Sequence, residues 1–284
     1  MESWFWVLSW FLSILTIIGN GIIIFLVYRK RKLHTKTNMF VVSLAVADLC
    51  VGISVVPLLF SYEITRDCSY SRGLHKGMLI VRWLFQDLSV MNLCSLVLER
   101  YIAMVMPLKY LHFMTRHRAL TMIFLPWTIT VVFILLEATL WIALDSSLNL
   151  KIFVWLVIIF FEFLPCCIVI FCLISMIRIV CKHNRVNSIL TRQLRFNHRV
   201  SNKPYEKSAI VMMIIVSGFF LIYNALTIRC GFLKILNQRC SDSTFKIPVL
   251  VLNSAVNPLA YALFKRDIKK EFKRMMCTGT LKTT

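Results

Sequence analysis

Apolar residues run along the chain in seven blocks of about 20 or more, separated by short polar or basic stretches. The blocks cover Trp4–Tyr28, Met39–Tyr62, Lys76–Met106, Ala119–Ala143, Ile152–Cys181, Ser208–Ile228 and Phe245–Phe264. A helix needs about 20 residues to cross ~30 Å of hydrocarbon, and only a helix or a closed barrel satisfies its backbone there. The pattern therefore predicts an all-α membrane protein, a seven-transmembrane helix bundle over residues 1–264. Residues 265–284 follow as a second unit. Phe264, Ile268 and Phe272 recur every four residues among lysines and arginines, which predicts an amphipathic helix along the inner interface and a short cytoplasmic tail. The first block is read as a retained span. It is too long for a signal peptide, lacks a basic leader, and shows no small-residue cleavage site before Arg29-Lys30-Arg31-Lys32. No internal repeat appears, which weighs against a secondary transporter.

Polar residues inside these blocks are few, so each needs a partner. Asp48 lies near mid-span in the second block, where an unpaired carboxylate costs several kcal/mol unless it finds a cation, a proton or a polar pocket. In the third block Arg82, Gln86 and Ser89 follow at helical spacing and form an inward-running stripe. Asp87 is off that stripe and is expected to pair with a neighbouring helix. The block ends in Glu99-Arg100-Tyr101, a charged pair at the inner mouth of a membrane helix. Glu162 precedes the helix-kinking Pro165 by one turn. Asn20, Asn224, Asn253, Ser254 and Asn257 are further mid-span polar groups, and Pro258 frees backbone groups that the last three suit.

Composition agrees with the membrane reading. The 284 residues are 58% hydrophobic and 16% charged, with a mean hydropathy of +0.74. A soluble domain carries about 25% charge. The net charge is +20, and with the N-terminus outside, the inner segments hold 22 of the 33 Lys and Arg while the outer ones hold 8. That asymmetry places the N-terminus outside and the C-terminus in the cytoplasm. It also suits anionic lipid headgroups. Nucleic acid is a poor partner, because the cations alternate with spans and build no single face. Of ten cysteines, Cys50, Cys94, Cys166, Cys167 and Cys172 lie inside spans and read as packing residues. Cys68, Cys230 and Cys240 lie outside, where disulfides persist, and Cys230 and Cys240 flank one outer connector. Cys277, beyond the amphipathic helix, is a palmitoylation candidate. No C-x-x-C metal spacing and no nucleophile–base pairing points to an enzyme.

The chain resembles a rhodopsin-like (class A) G-protein-coupled receptor from about Leu15 to Phe272. The resemblance rests on Gly19-Asn20, Leu44-Ala45-Val46-Ala47-Asp48, Glu99-Arg100-Tyr101, Trp127, Pro165 and Asn257-Pro258-Leu259-Ala260-Tyr261, six short motifs in order across six of the spans. It implies a plasma-membrane receptor that converts binding of an extracellular ligand, a small molecule or short peptide, into activation of a heterotrimeric G protein. It implies that Glu99 restrains Arg100 at rest, that Glu206 lies within a residue of a second restraint, and that Tyr261 swings inward on activation. It also implies an allosteric Na⁺ at Asp48, Ser89, Asn253, Ser254 and Asn257, with no other cofactor.

Departures from the family pattern are as informative. His75 stands where the family's span-three cysteine is expected, and the second outer loop has none, so the usual bridge is absent. Melanocortin-like and lipid-like subgroups share that absence, and Cys230 and Cys240 fit their third-loop cysteines loosely. Span six has Ile222-Tyr223-Asn224-Ala225 in place of Cys-Trp-x-Pro, so its proline hinge is missing, and Leu173 replaces a span-five tyrosine. Arg82 stands where amine receptors carry the aspartate that holds an ammonium. That argues against a simple monoamine and suits a carboxylate or phosphate; equally, Arg82 pairs internally with Glu63, Asp87 or Glu162. Val251 stands at the retinal lysine position. Candidate ligand contacts are Arg82, Gln86, Glu162, Tyr223 and Asn224. The competing reading is a multipass transporter or channel using Asp48, Asp87 and Glu162 as an ion relay.

Overall fold

In a computed structural model, which describes residues 3–65, 72–143, 155–193, 204–236, 238 and 243–280, the chain is helical almost throughout. The helices are α1 (Ser3–Arg29), α2 (Lys36–Thr65), α3 (Arg72–Val105), the short α4 (Pro107–Phe113), α5 (Arg116–Ala143), α6 (Leu164–Gln193), α7 (Pro204–Ile235), α8 (Ser243–Phe264) and α9 (Arg266–Thr280). Among the described residues seven segments are long and apolar enough to cross a membrane, as the apolar blocks predict. Several helices outrun the apolar blocks. Both α6 and α7 project past the hydrocarbon length into polar sequence, and α7 runs seven residues beyond Ile228 to Ile235.

The spans associate through shape and buried polar ties, since lipid tails are as apolar as the helix faces themselves. The third span, α3, packs against α2, α5 and α6, and α8 packs against α1, α2 and α7. Side chains facing lipid, such as Phe124, Val132 and Phe171, stay exposed, while Leu44, Leu93, Leu96, Val97 and Phe220 form the inner core. Gly19 permits one close approach: a Cβ there would lie 2.7 Å from the Pro258 ring.

Proline chemistry is answered locally. Pro258 has no N–H for the Ser254 carbonyl one turn back. That carbonyl accepts instead from Asn20 Nδ2 at 3.3 Å, which is the partner Asn20 needs on another helix. Before Pro165 the helix opens into a π turn, Ile158–Phe163, in which Leu164 N–H bonds the Ile159 carbonyl. The wider turn carries Glu162 into the bundle. Trp127 Nε1 donates to Ser43 Oγ at 3.0 Å, and Ser43 donates to Asn92 Oδ1 at 2.6 Å, tying α5, α2 and α3.

Beyond Phe264 the chain turns into α9, and Ile268 is fully buried beneath it. Asn38 fastens this corner. Its Nδ2 donates to the Leu33 carbonyl at 2.7 Å and to Asp267 Oδ2 at 3.0 Å, and its Oδ1 accepts from Lys265 Nζ.

Candidate functional site

Three polar centres lie one above another in the bundle. The innermost is built on Glu99, which is fully buried. Its Oε1 accepts from Thr37 Oγ1 at 2.8 Å and from Tyr110 OH at 2.6 Å. Its Oε2 lies 3.0 Å from Arg100 Nε. Two hydroxyls hydrogen-bond the carboxylate, each bond strengthened by its charge, and the guanidinium meets it as an ion pair without hydrogen-bond alignment. Burial and the bond to Glu99 push the Tyr110 phenol up to about 12, so it stays a donor. Tyr101 points away and packs on Phe171, with ring centroids 5.8 Å apart. Thr37 and Tyr110 were not legible as partners of Glu99 in the sequence, since one lies 62 residues away and the other on a separate helix. Glu206 lies in the first turn of α7, and its side chain is outside the described residues. Lys265 approaches the same face. Burial, and then nearby Arg100, push its ammonium down to about 7.

The middle centre surrounds Asp48, which is fully buried on α2. Ser89 Oγ donates to its Oδ1 at 2.6 Å, and Asn257 Nδ2 donates to its Oδ2 at 2.7 Å. Ser254 Oγ, Asn253 Oδ1 and Asn257 Oδ1 are buried without a hydrogen-bond partner, and all three lie within one turn of α8. Ser89, Ser254 and Asn257 face the Asp48 carboxylate, and a carboxylate among hydroxyl and amide oxygens is the oxygen-rich set that a hard cation takes. The residues present therefore fit a sodium ion. Tyr261, one turn further in on α8, is fully buried, and its hydroxyl has no partner.

The outermost centre is a cavity of about 200 Å³. Arg82, Gln86 and Asp87 reach it from α3, Glu137 from α5, Glu162 from the π turn, Tyr223 and Thr227 from α7, and Lys246 from α8. Gln86 Nε2 lies 3.4 Å from Glu162 Oε1. Glu162 Oε2, Tyr223 OH and Arg82 Nε are buried with no hydrogen-bond partner. Among the described residues Arg82 forms no ion pair with Asp87 or Glu162, so that internal pairing is not what holds it. Asp87 lines the cavity, within electrostatic reach of Lys246 on the neighbouring α8 as well as of Glu162 and Glu137. One expectation needs correction. Asn224 does not line the cavity; one residue round the helix from Tyr223, it is fully buried and donates to its own helix at the Phe220 carbonyl, 3.2 Å away. Glu137, Thr227 and Lys246 were missed as cavity residues, although Glu137 was visible as an acid inside a span.

A larger groove of about 870 Å³ opens between α1, α2 and α5, lined by Met39, Val42, Leu120, Phe124 and Trp127. Its apolar walls lack the convergent buried charges of the smaller cavity, so it suits lipid chains and not a polar ligand. Cys230, on α7 at the cavity, is disulfide-bonded. Cys240 and Cys68 lie outside the described residues, as does the side chain of Cys277. The in-span cysteines are free, with Cys94 and Cys172 buried and Cys167 exposed. Among the described residues no three His, Cys, Asp or Glu side chains gather closely enough to hold a metal ion.

Residues 19–261 match the model of the 7 transmembrane receptor family, rhodopsin family. An octopamine receptor beta-2R of Chilo suppressalis is 27% identical over 316 aligned positions, covering 93% of this chain and 77% of that receptor. Dopamine receptor 2 of Drosophila melanogaster is 38% identical over 123 residues, 40% of this chain and 22% of that receptor. Human 5-hydroxytryptamine receptor 2C is 36% identical over 123 residues, 42% of this chain and 26% of that receptor. The chain thus spans most of the first relative and less than a third of the other two.

Proposed function

Because the chain belongs to the rhodopsin family of seven-transmembrane receptors, we propose that it passes an extracellular chemical signal to a heterotrimeric G protein by exchanging two packings of one bundle. It is a multipass membrane receptor and not an enzyme. The ion-relay alternative has no support in the family match.

The observation that carries the proposal is the clamp on Arg100. A buried carboxylate holds the one guanidinium of Glu99-Arg100-Tyr101 at 3.0 Å, beneath three buried oxygen groups and a ligand-sized cavity. A ligand shifts such an equilibrium only by binding the two packings unequally. The cavity, bounded by five spans, supplies that inequality, since it changes shape whenever α7 moves against α3. Release of Arg100 then exposes a cation on the inner face, where the G protein docks. Na⁺ at Asp48 favours the packing in which Ser89 and Asn257 converge on the carboxylate. The N-terminus lies outside, the basic inner rim faces anionic lipid, and the receptor acts at the plasma membrane.

The relatives are named for octopamine, dopamine and 5-hydroxytryptamine, all amines. An ammonium needs a carboxylate, and this cavity supplies Asp87, Glu137 and Glu162 in place of an acid at Arg82. A volume of about 200 Å³ lies below the ~300–1,000 Å³ of drug-sized sites, which favours a small molecule over a peptide. The decisive experiment is Arg100→Ala in cells with a broad G-protein readout. Coupling should vanish while surface expression persists, and undiminished coupling would sink the role.

A further inference from the structure

The cavity's charges are arranged end to end. Asp87 and Glu162, each about 5% exposed, face it from α3 and the π turn, with Glu137 close by. Lys246 lies within electrostatic reach of Asp87 and Glu162, so among the described residues the deep end gathers three carboxyl groups around one amine. Arg82 sits five residues nearer the outer mouth than Asp87, about 7.5 Å along the helix axis. Its Nε is buried with no hydrogen-bond partner, and the fully buried Tyr223, within electrostatic reach of Arg82, Asp87 and Glu162, lies between the two ends. The cavity is therefore a short slot with carboxyl groups at its floor and a guanidinium towards its mouth, and a phenol on its wall.

We propose that this slot binds a small zwitterion, its ammonium seated against Asp87 and Glu162 and its anionic group against the Arg82 guanidinium. The proposal rests on reading the chain as a ligand-gated receptor and adds the chemical class of the ligand. A simple amine satisfies the floor but leaves a buried guanidinium donor unmet. A simple acid satisfies Arg82 but leaves buried carboxylates uncompensated. Each omission costs on the order of tenfold to a hundredfold in affinity. Among the described residues no three of these acids gather closely enough to hold a metal ion between them. A ligand carrying both charges meets both ends at once, and the guanidinium fork suits a carboxylate or phosphate. This polarity is the reverse of an amine site that carries its acid at the position of Arg82.

The test uses the full-length receptor in lipid nanodiscs, with thermal stabilisation as the readout of binding, so no G protein is required. The probes are matched triplets: tyrosine, tyramine and hydroxyphenylpropionate; tryptophan, tryptamine and indolepropionate; 4-aminobutyrate, butylamine and butyrate. In at least one triplet the zwitterion should act at a concentration tenfold or more below both its amine and its acid. Arg82→Gln should erase the preference over the amine, and Glu162→Gln the preference over the acid. Arg82→Lys keeps a charge and should retain part of the first preference, which separates a lost contact from a lost fold. The proposal is overturned if every amine equals or exceeds its zwitterion, if no zwitterion binds, or if Arg82→Gln keeps the preference. Loss of coupling in Arg100→Ala is read independently, so the receptor reading and the ligand class fail separately.

Discussion

Replacing Tyr110 by Phe isolates the restraint on Glu99. The substitution keeps the ring and removes one hydroxyl, whose oxygen donates to Glu99 Oε1 at 2.6 Å. Glu99 is fully buried, so water replaces that donor poorly. A hydrogen bond to a charged group contributes about 1.5–3 kcal/mol. Because Tyr110 is half-buried on a short surface helix, the lower figure of about 1.5 kcal/mol applies. At 1.4 kcal/mol per factor of ten, the released packing gains about tenfold over the clamped one. A receptor that is about 1% active at rest would become about 10% active. Ligand-free nucleotide exchange per surface receptor should therefore rise severalfold to tenfold. Thr37→Val removes the second donor, which lies 2.8 Å from the same oxygen, and should act in the same direction. The two substitutions share one acceptor, so their double mutant should depart from additivity. Unchanged ligand-free exchange in Tyr110→Phe at normal surface expression would refute the view that the seat of Glu99 sets the resting state.

Other outcomes test other levels of the structure. Asp48→Asn removes the charge between Ser89 and Asn257, and ligand binding should lose its dependence on sodium while persisting in potassium; a retained sodium effect would place the ion elsewhere. Gly19→Ala puts a methyl 2.7 Å from the Pro258 ring and should destabilise by about 1–3 kcal/mol, whereas Gly21→Ala, with open space around it, should be close to neutral in thermal melting. Lys265 is held near 7, below its ordinary lysine value of 10.5. The folded protein then binds fewer protons than the unfolded chain between those values, so stability rises with pH through that window. Melting should increase from pH 6.5 to 8.5, and Lys265→Met should flatten the slope; an unchanged slope would assign the effect to another group.

The seven spans, the inner amphipathic helix and the family motifs were legible because they are periodic or local. Apolar length alone fixes which segments cross a membrane. A mid-span charge such as Asp48 or Arg100 announces itself by its cost. The pairing of these groups was legible only in part. Asp87 looked like an outlier from the Arg82–Gln86–Ser89 stripe. It shares the cavity with Gln86 because the π turn brings Glu162 inward and four spans converge on that side of α3. Asn224 looked like a ligand contact because it neighbours Tyr223, yet a single residue turns a helical side chain by about 100°. Its amide satisfies its own helix instead.

By itself the sequence determined how many times the chain crosses the bilayer, because transfer of apolar residues depends on each segment's own composition. Only the tertiary structure decided what surrounds each buried charge. Thr37 and Tyr110 meet on Glu99, Asn20 meets the carbonyl that Pro258 sets free, and Glu137 and Lys246 meet Asp87 and Glu162 across the cavity. Electrostatic energy depends on distances between groups far apart in the chain, and those distances exist only once the helices have packed.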